Sequence, residues 1–167
     1  MNLIQAKNDE GKKALDILKE AAEWLKEQGS SQWSDVLTGE DKHGLAEAVE
    51  RGEVFFFYNS EKELVGMAAA WKKPTEWDQQ LWKNFRPDKK AVYIHRVIIR
   101  PYYRGKNYGE ALLTALKNQF RTQGLELRLD CLASNKNLVN FYKNNGFKQI
   151  GKAQDSNGII FELFSCI

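Results

Sequence analysis

Cysteine is scarce in this chain of 167 residues, which has two in all, Cys131 and Cys166. Their positions match neither metal-ligand spacing nor a CxxC pair, so both read as packed thiols that a reducing compartment keeps unpaired. Long apolar runs are missing as well. Nothing approaches the roughly 20 consecutive residues that span a bilayer, and no membrane association is expected. The opening residues carry Lys7, Asp9, Glu10, Lys12, Lys13, Asp16, Lys19 and Glu20 with no apolar core or small-residue cleavage site, so no secretory signal is read and a cytoplasmic location is the default. Charge of one sign is not in excess. Lys and Arg total 25 against 22 Asp and Glu, a net charge of +3, which is too mild to point to a nucleic-acid partner. No Gly-Lys-Ser/Thr ending occurs, which argues against a nucleotide P-loop. Repeats, low-complexity tracts and linkers are also lacking, while 43% of the chain is hydrophobic and 12% aromatic. One mixed α/β domain over residues 1–167 is the expectation.

The apolar pattern divides this domain into elements. Leu3 to Ala6 reads as a short strand, followed by a helix capped by Asn8 or Asp9 and running to about Gln28, with Ala14, Leu15, Leu18, Ala21, Ala22 and Leu25 on one face. A loop from Gly29 to Trp33 leads to a second helix from Asp41 to about Arg51. The period then changes. Val54 to Tyr58 and Leu64 to Trp71 form a hairpin around Asn59 to Glu63. Trp77, Leu81 and Phe85, spaced at four, mark an inserted helix or structured loop. Leu125 to Leu132 alternates Leu127, Leu129 and Cys131 with Glu126, Arg128 and Asp130, a strand with one face in the core. Asn135 caps a short helix that Gly146 ends, and Phe147 to Ile150 and Ile159 to Phe164 close the fold around Asp155 to Gly158.

The most informative stretch runs from Tyr93 to Leu113. An apolar strand ends at Pro101, a basic turn follows, and from Gly109 the apolar residues Leu112, Leu113, Leu116 and Phe120 recur at helical spacing. A helix start exposes unpaired backbone N–H groups and the positive end of the macrodipole, so this turn can hold a phosphate. A tight strand-to-helix connection explains Gly105 and Gly109 equally well.

Two motifs together resemble the GNAT superfamily of acyl-CoA-dependent N-acyltransferases. Arg104-Gly105-Lys106-Asn107-Tyr108-Gly109 occupies the place of the family's Q/R-x-x-G-x-G/A turn. About thirty residues later, Leu129 to Phe147 is similar to its strand, Asn, helix, Tyr and "GF" signature, with Asn135, Tyr142, Gly146 and Phe147 in those positions. The departure is Asn107, where the family most often has glycine; asparagine tolerates positive φ, so the turn's shape can survive. The resemblance implies the GNAT fold, a mixed and mostly antiparallel sheet of about six to seven strands with helices on both faces. It also implies acetyl-CoA as cofactor.

Site residues follow from the same resemblance. Arg104, Gly105, Lys106, Asn107, Tyr108, Gly109 and Glu110 would hold the pyrophosphate. Val97, Ile98 and Ile99 would offer backbone groups to the pantetheine arm, with Asn135 a further contact. Tyr142 would face the coenzyme A sulfur and protonate the leaving thiolate. Many members use a strand glutamate as base; here Tyr93 stands in its place, and His95 is similar to the strand histidine of serotonin N-acetyltransferase-like members. Glu76, Asp78, Asp130 and ordered water are reserve bases. Trp33, Trp71, Glu76, Trp77 and Tyr93, with Trp82 and Asp78 nearby, would line the acceptor site, where aromatic faces and carboxylates suit a cationic amine. The pattern Trp24, Gly29, Gln32, Trp33 looks like a subset of bacterial GNAT proteins.

Each of these residues also has a packing role open to it: a buried strand for Val97 to Ile99, a core tyrosine, a sheet-satisfied histidine, an apolar stripe through Trp77. The implied activity is acetyl transfer to the primary amine of a small molecule by direct attack in a ternary complex. The alternative is an acyl-CoA-binding regulatory module without catalysis. Homodimers through sheet edges and C-terminal strands are common in the family, which keeps that assembly open here.

Overall fold

Val54–Tyr58, the run Val-Phe-Phe-Phe-Tyr, is buried along nearly its whole length, and the strands on either side are built against it. A computed structural model describes residues 2–41 and 43–167. Among these residues the strands in chain order are β1 (Asn2–Gln5), β2 (Val54–Tyr58), β3 (Leu64–Trp71), β4 (Ala91–Ile99), β5 (Glu126–Leu132), β6 (Lys148–Gln154) and β7 (Ile160–Cys166). They form one seven-stranded mixed sheet in the order β1-β2-β3-β4-β5-β7-β6. The helices are α1 (Gly11–Glu27), α2 (Leu45–Glu50), α3 (Glu76–Leu81), α4 (Tyr108–Arg121) and α5 (Lys136–Asn144). No helix among the described residues is long and apolar enough to cross a membrane.

The chain divides into two compact units that share β4. The first holds the residues up to Ala70 together with Arg96–Leu112. Here β1 and β3 both pair antiparallel with β2. The hairpin turn is held by Asn59, whose Oδ1 accepts from the backbone N–H of Glu61 and Glu63 at 3.0 and 2.9 Å. Gly66 has a specific reason: a Cβ there would lie 2.6 Å from the Ile98 carbonyl oxygen. Helix α1 buries Ala14, Ile17, Leu18, Ala21 and Ala22, the three-and-four pattern of an amphipathic helix.

Its start differs from expectation. Glu10 is the N-cap and makes no side-chain cap bond; its carboxylate reaches back instead to the Lys7 N–H at 2.8 Å. Neither Asn8 nor Asp9 caps the helix. Helix α2 begins four residues later than Asp41, although the Asp41 carboxylate still caps it, accepting from Leu45 and Ala46 N–H at 2.8 and 3.1 Å. Between α1 and α2 lies an unanticipated 3-10 turn, Ser34–Thr38, flanked by Trp33 and Gly39 in left-handed conformation.

The second unit holds Trp71–His95 and Leu113–Ile167. Strand β5 pairs in parallel with β4 from Ala91↔Glu126 to Tyr93↔Arg128 and antiparallel with β7, which forms a hairpin with β6. Asp155 holds the hairpin turn by accepting from Asn157 and Ile159 N–H at 2.9 Å each. Strand β5 departs from its alternating pattern. Glu126 and Arg128, expected on an open face, are 5% and 1% exposed. They are tolerated inside because they pair with each other and with Ser165 and Tyr93, which compensates buried charge.

Candidate active site

In the first unit the basic turn joins β4 to α4. Gly105 and Asn107 have φ of 81° and 63°, so the asparagine takes the left-handed geometry that the family's glycine would supply. A Cβ on Gly105 would meet nothing within 4 Å, so the space beside that residue is open. Ala111 N–H bonds the Asn107 carbonyl at 3.4 Å, making Asn107 the cap and leaving the first-turn amides of Tyr108, Gly109 and Glu110 without intrahelical acceptors. Arg104 and Lys106 are exposed. Their side chains rest on aromatic rings, the Arg104 guanidinium 4.2 Å over Trp24 and the Lys106 ammonium 5.3 Å from Tyr102. Free amides at the start of a 14-residue helix and two adjacent cations suit a diphosphate. Glu110 is acidic in the same turn, so its N–H fits an anion and its side chain does not.

The strand entering this turn is irregular. Arg96 has φ of 53° inside β4, a conformation that costs a non-glycine residue roughly 1–2 kcal/mol. Its guanidinium lies 5.5 Å over the Trp33 ring. Burial lowers its pKa, while Asp35 and Asp41 act in the opposite direction. Ile98 is buried, and Val97 and Ile99 are half-buried. No sequence signal marked Arg96.

In the second unit a separate constellation forms around His95. Its Nε2 lies 3.0 and 3.2 Å from the two oxygens of Asp78, a residue only 1% exposed. Trp71 packs on the imidazole with ring centroids 5.9 Å apart. Asp78 belongs to the capping box of α3: its carboxylate accepts from Thr75 N–H at 3.0 Å and the Thr75 hydroxyl at 2.9 Å, while Thr75 Oγ1 accepts from Asp78 N–H at 3.2 Å. The next residue back on that helix, Trp77, donates its indole N–H to Asp130 at 3.2 Å and meets Phe161 edge-on at 4.9 Å. Burial raises the Asp130 pKa, opposed by His95 and the indole bond.

Tyr142 on α5 is 6% exposed and packs against Phe164, Phe141 and Phe147 at 5.5, 5.6 and 5.9 Å. Burial pushes its phenol well above the usual range, and Cys131 and Asp130 add to the shift. The proton therefore stays on the oxygen at neutral pH. The Cys131 thiol is likewise pushed up to about 12 by burial, so it is a packed and unreactive thiol. Asn135 caps α5, its Oδ1 accepting from Leu138 N–H at 3.1 Å.

Several acceptor-wall expectations separate here. Trp71, Trp77 and Asp78 gather around His95 and Asp130, and Glu76 is exposed on α3. Trp33 lies in the first unit beside Arg96. Tyr93 is 3% exposed with its hydroxyl taken by Arg128, and Trp82 is 1% exposed; both side chains are interior packing. Among the described residues no group of three or more His, Cys, Asp or Glu is placed to hold a metal ion.

Comparison with known proteins agrees with this architecture. The family model described as "Acetyltransferase (GNAT) family" matches residues 17–147. An uncharacterized N-acetyltransferase of Bacillus subtilis, YesJ, is 32% identical over 149 residues, covering 89% of this chain and 79% of that one. A GNAT-family acetyltransferase crystal structure from Listeria monocytogenes superposes with a TM-score of 0.81 at 32% identity, covering 98% of this chain and 92% of that one. One from Streptococcus agalactiae gives 0.75 at 16% identity, with 99% and 94% covered, and a chimera of spermidine N-acetyltransferase from Vibrio cholerae gives 0.62 at 16%, with 99% and 95% covered. These last two show likeness of fold. The chain belongs to the GNAT family of acetyltransferases.

Proposed function

We propose that residues 1–167 form one acetyl-CoA-dependent N-acetyltransferase domain that acetylates a primary amine of a small molecule by direct attack in a ternary complex. The observation that carries the cofactor assignment is the pair of left-handed residues, Gly105 and Asn107, leading into the open first turn of α4. When bound, acetyl-CoA would supply the acetyl group as an activated thioester. The amides of Tyr108, Gly109 and Glu110, with Arg104 and Lys106, hold its diphosphate. Backbone groups of Val97, Ile98 and Ile99 align the pantetheine arm, with Asn135 as a further contact.

The proton inventory assigns the side chains. An alkylamine with pKa near 10.4 is only about one part in a thousand neutral at pH 7, a penalty of roughly 4 kcal/mol. His95 accepts that proton, directly or through water. Tyr142, whose buried phenol retains its hydrogen, donates to the departing sulfur, since a thiolate with pKa about 8.5 gains from a donor as it leaves. Trp71, Trp77 and Glu76 receive the acceptor, with Trp33 as a further aromatic face. Aromatic faces and acidic groups suit a cation.

The test has ordered stages. Acetyl-CoA should raise the melting temperature, and no stabilisation rejects the cofactor. Thiol release is then measured across short alkylamines and spermidine; stabilisation without turnover on any amine indicates a binding module. With an active acceptor, Tyr142→Phe should lower kcat by about 10²-fold or more. A wild-type rate at every pH removes Tyr142 as acid. An unchanged pH–rate profile in His95→Gln removes His95 as base.

A further inference from the structure

Asp78 serves two elements at once. Its carboxylate closes the capping box of α3 with Thr75 and lies against His95 Nε2 on β4 at 3.0 Å. The contact joins residues 17 apart in sequence, and Asp78 is only 1% exposed. Both Thr75 donors fall on Oδ2, so Oδ1 is left for the imidazole. In its ionised form the Asp78 carboxylate has no hydrogen to give, so the hydrogen in the His95 contact sits on Nε2. The lone pair is therefore on Nδ1.

We infer that Asp78 is a positioning residue for His95: it fixes the Nε2–H tautomer, presents Nδ1 as the proton acceptor, and stabilises the imidazolium formed when Nδ1 takes a proton. Trp71, tilted at 36° against the ring with centroids 5.9 Å apart, limits its rotation. The inference deepens the reading of His95 as base and rests on it for its catalytic meaning. The tautomer itself does not depend on that reading. In the proton transfer, the acceptor's N–H bond breaks, its electron pair stays on the amine nitrogen, and the new N–H bond forms at Nδ1. Asp78 keeps its charge throughout and gains no proton.

The groups facing His95 are Asp78 from α3, Asp130 from β5 and Trp71 from β3. Asp130 is titratable as well. Its interaction with His95 is mutual, since the imidazole's charge lowers the carboxyl's pKa. Replacing Asp78 by asparagine removes the carboxylate and allows the amide N–H to donate to Nε2, which selects the opposite tautomer.

The deciding measurement is 15N NMR of histidine-labelled protein. The chain has two histidines, His43 and His95, so His43→Gln assigns the spectrum. The wild type should show His95 as Nε2–H with an unprotonated Nδ1, and Asp78→Asn should move it toward Nδ1–H. Thr75→Ala is the control: it breaks the cap, lowers the melting temperature by a few degrees, and leaves the His95 spectrum unchanged. With acetyl-CoA and whichever of spermidine or 1-aminobutane is turned over, Asp78→Asn should lower kcat by about 10- to 100-fold and change KM little. An Nδ1–H wild-type tautomer, or an Asp78→Asn variant with the wild-type spectrum, overturns the inference. Failure of the base reading is distinguishable, because it shows as an unchanged rate profile in His95→Gln with the tautomer as described.

Discussion

Arg128 donates to the phenol oxygen of Tyr93 at 3.0 Å, joining the parallel strands β4 and β5 at the last pair of their register. The guanidinium is 1% exposed, lies 4.5 Å over the Trp82 ring, and also bonds the Arg86 carbonyl at 2.8 Å and Glu126 at 3.3 Å. A buried cation so placed holds its neighbours by the penalty of leaving them unpaired. Arg128→Ala should lower the unfolding free energy by about 3–5 kcal/mol. Tyr93→Phe should cost about 1.5–3 kcal/mol. Urea denaturation reads both. The double variant Arg128→Met, Glu126→Gln should be less destabilised than Arg128→Ala, since it removes both charges together.

The turn into α4 separates strain from steric crowding. Gly105→Ala meets no atom within 4 Å, yet its φ of 81° disfavours any side chain, and the variant should lose roughly 1 kcal/mol. Asn107→Gly should keep both fold and acetyl-CoA affinity, measured by calorimetric titration. A large loss of affinity in Asn107→Gly would show that the amide side chain itself contacts the cofactor.

Asn135 allows its cap to be distinguished from a ligand contact. Asn135→Ala should cost about 1 kcal/mol through loss of the Leu138 N–H bond. Asn135→Ser should restore most of that stability. If acetyl-CoA affinity returns with it, the cap accounts for the residue; if affinity stays low, the carboxamide binds the pantetheine arm.

Asp130 predicts a pH dependence of stability. Burial raises its folded pKa, so the folded state holds the proton more tightly than the unfolded chain, whose Asp titrates near 3.9. The stability from this group is present below the unfolded pKa and declines as pH rises through the folded value. Asp130→Asn keeps an acceptor for the Trp77 indole and removes the titration. The variant should gain stability relative to wild type as pH rises from about 4 to 7, read from urea midpoints at each pH.

Much of the local architecture was legible in order. The hairpin of Val54–Tyr58 and Leu64–Trp71 has the bounds its apolar runs indicate, and Asn135 caps α5 as its position requires. These features depend on residues within one turn or one hairpin of each other. Expectations that relied on composition alone fared differently. Asn8 and Asp9 are good cap types, yet Glu10 occupies the cap because its carboxylate already closes the turn onto Lys7. Alternation along β5 predicted a wet face, and pairing of Glu126 with Arg128 made that face dry.

The sequence by itself determined the family, the strand-turn-helix at residues 93–113 and the second motif ending at Phe147, because a short backbone geometry demands those residue types at those spacings. Only the tertiary structure decided that Asp78 meets His95 across 17 residues, that Trp77 meets Asp130 across 53 and that Tyr93 meets Arg128 across 35. Side chains that far apart along the chain are brought within 3.2 Å by strand register and by the seating of α3. The period of a single strand or helix carries no information about which distant partner will stand opposite it.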